Sequence, residues 1–159
     1  MSLSNLMEFE KEDRDMSKYI LGIDPGPAQS ATVLYDAESR KVLSFGIDQN
    51  SDVLEYFNNL GIGSTLVIEM IASYGMPVGA EVFNTCVWIG RFIQEWQTLN
   101  NGPAFTVKRL QIKSALCHSA KANDANIRAA LIDLFGPGKD KAIGCKKAPG
   151  PLYGVKSDV

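Results

Sequence analysis

Residues 19–26 read Tyr-Ile-Leu-Gly-Ile-Asp-Pro-Gly, and this stretch decides the fold. Its first five residues are almost wholly apolar and predict a short strand over 19–23. The Pro-Gly-Pro of residues 25–27 then forces the chain to turn. The strand therefore ends at Asp24, whose carboxylate is expected to be half buried and to need a counter-charge.

Three further stretches predict strands around the first one. Residues 31–35 and 41–47 are joined by a short polar hairpin, and strands so tightly linked form an antiparallel meander. Residues 64–68 form a near-continuous apolar run, which is typical of a strand buried on both faces in a parallel arrangement. Glu69 follows that run directly, in the position that Asp24 holds after the first strand.

The rest of the chain alternates helices with one more strand. The predicted elements are a helix from Ser51 or Asp52 to Leu60, a helix over 78–99, a strand over 104–107, a short helix over 113–117, and a helix that Asn123 or Asp124 caps. This order predicts an α/β fold with a mixed five-stranded sheet and helices on both faces. Strands one to three are expected to be antiparallel, and the continuation parallel.

The spacing of apolar residues predicts which helix surfaces face the sheet. The stripe on the long helix consists of Val82, Cys86, Ile89, Ile93 and Trp96. The stripe on the helix after Asn123 consists of Ile127, Leu131, Leu134 and Phe135. Residues 136–151 are rich in Lys, Gly and Pro, and they predict a flexible basic loop.

Charge is unevenly distributed along a chain whose net charge is only −2. Residues 1–100 hold 6 Lys/Arg against 14 Asp/Glu, a net −8, and residues 101–159 hold 10 against 4, a net +6. A local basic region is what a polyanion meets. The candidates for a phosphate path are Lys108, Arg109, Lys113, Lys121 and Arg128, with Lys139, Lys141, Lys146 and Lys147 as a mobile arm. The alternative is a solvated helix face followed by a solubilising loop.

Composition excludes several classes of protein. With 45% hydrophobic and 21% charged residues, the chain is neither collagen-like nor wholly disordered. Residues 1–17 carry five acids and two bases and predict a disordered N-terminal extension or a tag. The sequence has no apolar run long enough for a membrane span or a secretory signal, so we expect a cytoplasmic protein. Its three cysteines lack the CxxC spacing of a zinc site.

Asp24 and Glu69 carry the chemistry that this pattern predicts. If their strands are neighbours, the strand ends lie about 4.8 Å apart. Carboxylates at that separation suit two divalent ions roughly 3.5–4 Å apart. A third carboxylate from a helix start, Asp158 or Asp124, would complete the set. The alternative is that Asp24 begins a turn, Glu69 pairs with a base, and Asp124 is a first-turn acid beside a capping residue.

Two of these motifs carry a resemblance to a known family. Residues 22–26 and 66–69 resemble the RuvC-type Holliday junction resolvases of the ribonuclease H-like superfamily. The tail over 153–159 resembles the last acidic motif of that family, in which an Asp opens the final helix. Residues 73–79 and 88–92 look more like an uncharacterised phage and prophage branch of the group.

The resemblance covers residues 18–159 and implies a nuclease domain there. It implies a Mg²⁺- or Mn²⁺-dependent endonuclease that cleaves branched DNA by a two-metal mechanism. In that reading Asp24 bridges both metals, and Glu69 and Asp158 each complete one of them. It also implies a homodimer, because a junction offers two symmetric strands. The family pattern continues with a helix after the last Asp, so we expect this domain to lack its last helix.

Two alternatives to a nuclease stay open at this point. One is a nucleic-acid-binding module of the same fold whose catalysis is impaired. The other is an actin-like ATPase, since sugar kinases and actin-type ATPases also begin with a strand that ends in Asp-Gly. That class needs a second phosphate-binding Asp-Gly turn, which the sequence does not contain.

Overall fold

The computed structural model describes residues 18–60, 62–72, 75, 77–99 and 101–155. Its strands are β1 Tyr19–Asp24, β2 Gln29–Asp36, β3 Lys41–Gln49, β4 Ser64–Met70, β5 Ala104–Lys108, β6 Gly144–Cys145 and β7 Ala148–Pro149. Its helices are α1 Asn50–Phe57, α2 Ala80–Thr98, α3 Arg109–Cys117, α4 Asp124–Phe135 and α5 Lys139–Ala142. The extension predicted over 1–17 and the predicted ligand Asp158 lie outside these residues. Within them, no helix is long and apolar enough to cross a membrane.

Within the described ranges, the first five strands form one mixed sheet in the order β3-β2-β1-β4-β5. The pairs β1–β2 and β2–β3 are antiparallel, as a tight meander requires. The pairs β1–β4 and β4–β5 are parallel, and the helices α1 and α2 lie in the connections that precede and follow β4. The predicted α/β fold with a mixed five-stranded sheet is confirmed.

One face of the sheet is closed by α1 and α2. The apolar side chains that it sends into this core are Leu21, Ile23, Leu66 and Ile68. They meet the rings of Phe57, Phe92 and Trp96, each of which is 0% exposed. The Phe57 and Trp96 rings pack edge to face, with centroids 5.1 Å apart. The indole N–H of Trp96 donates to the carbonyl of Gly102 at 3.0 Å, so this large side chain is buried without an unpaired polar atom.

The register of α2 differs from the predicted stripe. Its buried residues are Thr85, Ile89, Phe92 and Trp96. Cys86, predicted in the core, is exposed, and the prediction was wrong because it excluded a polar residue from the buried face. The Thr85 hydroxyl donates to the carbonyl of Glu81 at 2.8 Å, and this bond allows it to be buried.

The opposite face of the sheet is covered in part by α4. The ring of Phe135 packs edge to face on Tyr35 of β2, with centroids 6.1 Å apart. Tyr35 pairs with Ile20, so it lies on the face of β1 that turns away from Leu21. Helices therefore lie on both faces, as predicted. Leu134, predicted in the α4 stripe, is 67% exposed, and Ile132 is buried instead.

Residues 136–151 are ordered, and the prediction of a flexible loop was wrong. They form α5 and the β6–β7 hairpin, and Ala142 is fully buried. Backbone hydrogen bonds tie the segment together, from Gly150 N–H to the carbonyl of Ile143 at 2.9 Å and from Leu152 N–H to the carbonyl of Ala142 at 2.8 Å. Gly144 has a φ of +67°, a conformation that glycine adopts without strain. The glycines thus build a tight turn here rather than a mobile loop.

Candidate active site

The structure brings Asp24 and Glu69 together at the edge where β1 and β4 end. In the register of these parallel strands Ile23 pairs with Ile68, so Asp24 and Glu69 come next on the two strands. Because side chains alternate along a strand, both carboxylates point away from the face that Ile23 and Ile68 bury. Asp24 is exposed, so the half-burial predicted for it was wrong, whereas the side chain of Glu69 is 21% exposed. The predicted neighbourhood of the two acids is therefore present.

The half-buried position of Glu69 changes its chemistry. Burial raises the pKa of the Glu69 carboxyl, and the negative charge of Asp24 raises it further. The guanidinium of Arg109 opposes this rise. A carboxylate held beside a second carboxylate and away from water attracts a cation, and groups shifted in this way cluster at functional sites.

Arg109 already supplies a positive charge to this edge of the sheet. Its Nη1 lies 3.4 Å from Oε1 of Glu69, and its Nη2 lies 2.7 Å from Oδ1 of Asp124. The Arg109 pKa is raised, first by the hydrogen bond to Asp124 and also by the charge of Glu69. The side chain reaches both acids because α3 begins directly after β5, four residues before the predicted start at Lys113. The sequence carries no periodic signal for this bridge.

Asp124 is the first residue of α4, but it is not the residue that caps the helix. Asn123 holds the cap position, and its side chain accepts the backbone N–H of Asn126 at 3.0 Å. Since Asn123 satisfies the helix end, the Asp124 carboxylate is left to pair with Arg109. Asp124 has a 78% exposed side chain and stands at the mouth of the site.

These side chains line a cleft of about 460 Å³. Its charged lining consists of Asp24, Glu69, Asp124, Arg109 and Arg128. Its apolar floor comes from α3, α4 and residues 143–155. Charged groups of both signs thus converge above an apolar floor, which is the usual makeup of a binding site.

The other predicted phosphate-binding residues lie outside this cleft. Lys108 ends β5, Lys113 lies on α3, and Lys121 lies in the turn before α4. None of the three forms an ion pair with an acid in the described part of the chain. Four further lysines are exposed on α5 and in the β6–β7 turn, namely Lys139, Lys141, Lys146 and Lys147.

A buried hydrogen-bond network that the sequence did not predict holds the turn after Asp24. Asn50, the first residue of α1, is 1% exposed, and its Nδ2 donates to the carbonyl of Gly26 at 3.0 Å. The hydroxyl of Ser30 donates to Oδ1 of Asn50 at 2.6 Å and accepts from the N–H of Gly26 at 3.3 Å. A cap at Ser51 or Asp52 was predicted here, but the cap position is Gln49 and α1 begins at Asn50, whose side chain bonds inward to this turn.

The oxygen donors of Asp24 and Glu69 fit a hard divalent cation. Carboxylates are the ligands that Mg²⁺ and Mn²⁺ prefer, and Mg²⁺ is often held by one or two of them together with substrate phosphates. Over the ranges that the structure describes, no three Asp, Glu, His or Cys side chains stand close enough to hold a metal by themselves. Asp158, predicted as the third ligand, lies beyond those ranges.

The sheet order and its covering helices define an α/β fold of the ribonuclease H-like type. Structural comparison finds the RuvC structure of Thermus thermophilus, at a TM-score of 0.59 and 16% identity over 84% of each chain. It also finds T. thermophilus RuvC in complex with a Holliday junction substrate, at a TM-score of 0.57 and 17% identity over 84% of each chain. By sequence, no family model and no curated protein matches. The chain therefore has a RuvC-like fold, as predicted, and the likeness to a phage branch stays a prediction.

Proposed function

We propose that this chain is a Mg²⁺- or Mn²⁺-dependent endonuclease that hydrolyses phosphodiester bonds in branched DNA. The observation that carries the proposal is the pair formed by Asp24 and Glu69, one exposed and one half-buried, at the ends of adjacent parallel strands. The RuvC-like fold supports it, because T. thermophilus RuvC forms a complex with a Holliday junction.

In this proposal the strands fix the carboxylates before any substrate arrives. Asp24 and Glu69 would hold the divalent ions, and Asp158 would complete the set as the resemblance implies. When bound, a pair of such ions stabilises the charge that develops on a phosphate and activates water. Asp124 is the weaker candidate ligand, because it is exposed and hydrogen-bonded to Arg109.

Basic side chains in and around the cleft would bind the DNA backbone. Arg109 and Arg128 line the cleft and can present planar guanidinium groups to phosphate oxygens. Lys108, Lys113 and Lys121 would add attraction that is independent of base sequence and weakens as salt rises. This arrangement is consistent with the net +6 of residues 101–159 (10 Lys/Arg against 4 Asp/Glu).

We also propose that two copies associate through α2. Phe83 and Val87 lie one turn apart on this helix and are 61% and 62% exposed. Apolar side chains exposed next to each other are candidates for an interface, and a two-fold dimer would suit the two symmetric strands of a junction. Sedimentation should give a dimer for the wild type and a monomer for the double variant Phe83→Ser, Val87→Ser. A wild-type monomer at every concentration would contradict this arrangement.

The nuclease proposal is tested by incubating the protein with a labelled four-way DNA junction in Mn²⁺ or Mg²⁺. Asp24→Asn and Glu69→Gln should each lower the cleavage rate by about 100-fold or more, because each removes the negative charge of a proposed metal ligand. Each tenfold loss corresponds to about 1.4 kcal/mol of transition-state stabilisation. Asp133→Asn is the matched control, because it removes an exposed acid of α4 that does not line the cleft. Full activity in both site variants would overturn the proposal.

The second candidate function is a binding module of the same fold with impaired catalysis. It is favoured by the observation that Asp24 and Glu69 stand without a third close ligand among the described residues. Binding of the junction without cleavage in either metal would support it. Asp158→Asn separates the two functions, since it should abolish cleavage in an active nuclease and change nothing in a binding module.

A further inference from the structure

We infer that Arg109 is a built-in counter-cation of the carboxylate cleft, and that a divalent ion that binds Glu69 displaces its guanidinium from that carboxylate. The inference deepens the proposed function and rests on it for the metal. It concerns the competition between two cations for one carboxylate, and it gives Arg109 a role besides the phosphate contact that the sequence predicts.

The geometry places one guanidinium between acids from two different elements. Nη1 of Arg109 faces Glu69 on β4 at 3.4 Å, and Nη2 faces Asp124 on α4 at 2.7 Å. Asp24 lines the same cleft and adds its charge to that of Glu69. Three carboxylates therefore line one cleft, and Arg109 forms ion pairs with two of them.

The backbone at Arg109 is fixed, whereas its side chain can move. The N–H of Lys108 donates to Oε1 of Gln111 at 2.8 Å, which holds the start of α3. The side chain of Arg109 is 45% exposed, so it can swing towards solvent without opening the apolar core. Of its two contacts, the one to Glu69 is longer and therefore weaker than the one to Asp124. Arg109 can release Glu69 while it stays bonded to Asp124.

A divalent ion on Glu69 and a guanidinium on the same carboxylate repel each other. Like charges a few ångströms apart repel each other, and the repulsion is larger when one of them is a doubly charged ion. Binding of the ion is thus an exchange of one cation for another. In metal-free protein Arg109 offsets part of the negative charge of the cleft, and in metal-bound protein it no longer contacts Glu69.

The test is the Mn²⁺ affinity of the full chain without DNA, measured by calorimetry. Arg109→Gln should bind Mn²⁺ about tenfold more tightly than wild type, because no guanidinium competes for Glu69. Arg109→Lys keeps the positive charge but lacks the guanidinium group that reaches two acids. Its Mn²⁺ affinity should therefore fall between those of wild type and Arg109→Gln. Arg128→Gln is the matched control, because Arg128 lines the same cleft yet pairs with no acid in the described ranges. Its affinity should stay within about twofold of wild type.

A second readout needs no binding isotherm. In EDTA, Arg109→Gln should melt at a lower temperature than wild type, since its carboxylates face one another without a bridging cation. Mn²⁺ should then raise the melting temperature of Arg109→Gln by more than it raises that of wild type. This readout also shows whether each variant folds.

Three outcomes separate this inference from the proposed function. Equal Mn²⁺ affinities of wild type and Arg109→Gln, both abolished by Glu69→Gln, overturn the inference and leave the metal site standing. An equal gain in Mn²⁺ affinity in Arg128→Gln overturns it as well, because the gain then comes from removing any positive charge from the cleft rather than from the contact with Glu69. Absence of Mn²⁺ binding in wild type and Arg109→Gln alike overturns the metal-dependent function, and the inference with it.

Discussion

The two faces of the sheet differ in what fills them, although the same strands build both. Towards α1 and α2, β1 sends Leu21 and Ile23 into a core in which neither is more than 4% exposed. Towards the cleft, the alternate positions of β1 hold Gly22 and Asp24, the second of which is exposed. Because side chains alternate along a strand, one short sequence specifies a stable core and a charged site at once. The comparison teaches that stability and chemistry are separable in this molecule.

The largest expected effect on stability comes from truncating a buried side chain on the face of the sheet that α1 and α2 cover. Trp96→Ala removes a side chain that is 0% exposed, the edge-to-face contact with Phe57 and the hydrogen bond to Gly102. We expect the free energy of unfolding to fall by about 3–5 kcal/mol. Denaturant unfolding followed by circular dichroism measures this fall.

Leu134→Ala is the matched control for the core. It also truncates a large apolar side chain, but that side chain is 67% exposed, so the loss should stay below about 1 kcal/mol. If Trp96→Ala and Leu134→Ala lowered the free energy of unfolding by similar amounts, the two faces would be packed equally well, contrary to this comparison.

A smaller effect is expected at the network that joins the start of α1 to the turn after Asp24. Asn50→Ala leaves the hydroxyl of Ser30 and the carbonyl of Gly26 without their buried partner. The free energy of unfolding should fall by about 1–3 kcal/mol. Junction cleavage should fall as well, because the turn directly after Asp24 loses its support. Asn58→Ala, which removes an exposed amide, should change neither quantity, and a loss of stability without any loss of cleavage would separate the turn from the site.

On the cleft face, Glu69→Gln should leave the metal-free protein almost as stable as wild type. It removes a charge whose burial is unfavourable, together with its 3.4 Å contact to Arg109, and these effects oppose each other. We expect a change of less than about 1 kcal/mol in the free energy of unfolding. A loss as large as that of Trp96→Ala would show that the carboxylate is part of the core.

The smallest effect is a pH dependence that belongs to Glu69. Its folded-state pKa is raised above the ordinary value of 4.5, so the folded protein holds this proton more tightly than the unfolded chain does. The resulting stability is fully present below the unfolded pKa and is lost as the pH rises through the folded pKa. Unfolding in EDTA at several pH values from about 4 to 7 should show this loss in wild type and not in Glu69→Gln. Parallel pH profiles would contradict it.

The strands and the two acids at their ends followed from local pattern. The apolar run that ends at Asp24 and the run that precedes Glu69 each predict a strand by themselves. Once these strands are parallel neighbours, the two carboxylates must meet. Their adjacency was only a condition in the sequence analysis, and the structure supplies it by pairing Tyr19 of β1 with Ser64 of β4.

What the sequence could not predict depends on contacts between distant segments. The bridge from Arg109 to Glu69 and Asp124 requires the start of α3 to be placed against β4 and α4, and no spacing encodes that. Asn50 resembles an ordinary residue before a helix cap, and only its burial against Gly26 reveals its role. Such polar networks are set by the tertiary fold rather than by local pattern.

The central claim is that the cleft face holds a divalent-ion site, and that Arg109 loses its contact with Glu69 when the ion binds. A crystal structure of the chain soaked in Mn²⁺, with its anomalous scattering recorded, tests this most directly. The account predicts an anomalous peak bound by carboxylate oxygens of Asp24 and Glu69, with the guanidinium of Arg109 no longer in contact with Glu69. The absence of any peak between Asp24 and Glu69 at millimolar Mn²⁺ would contradict it.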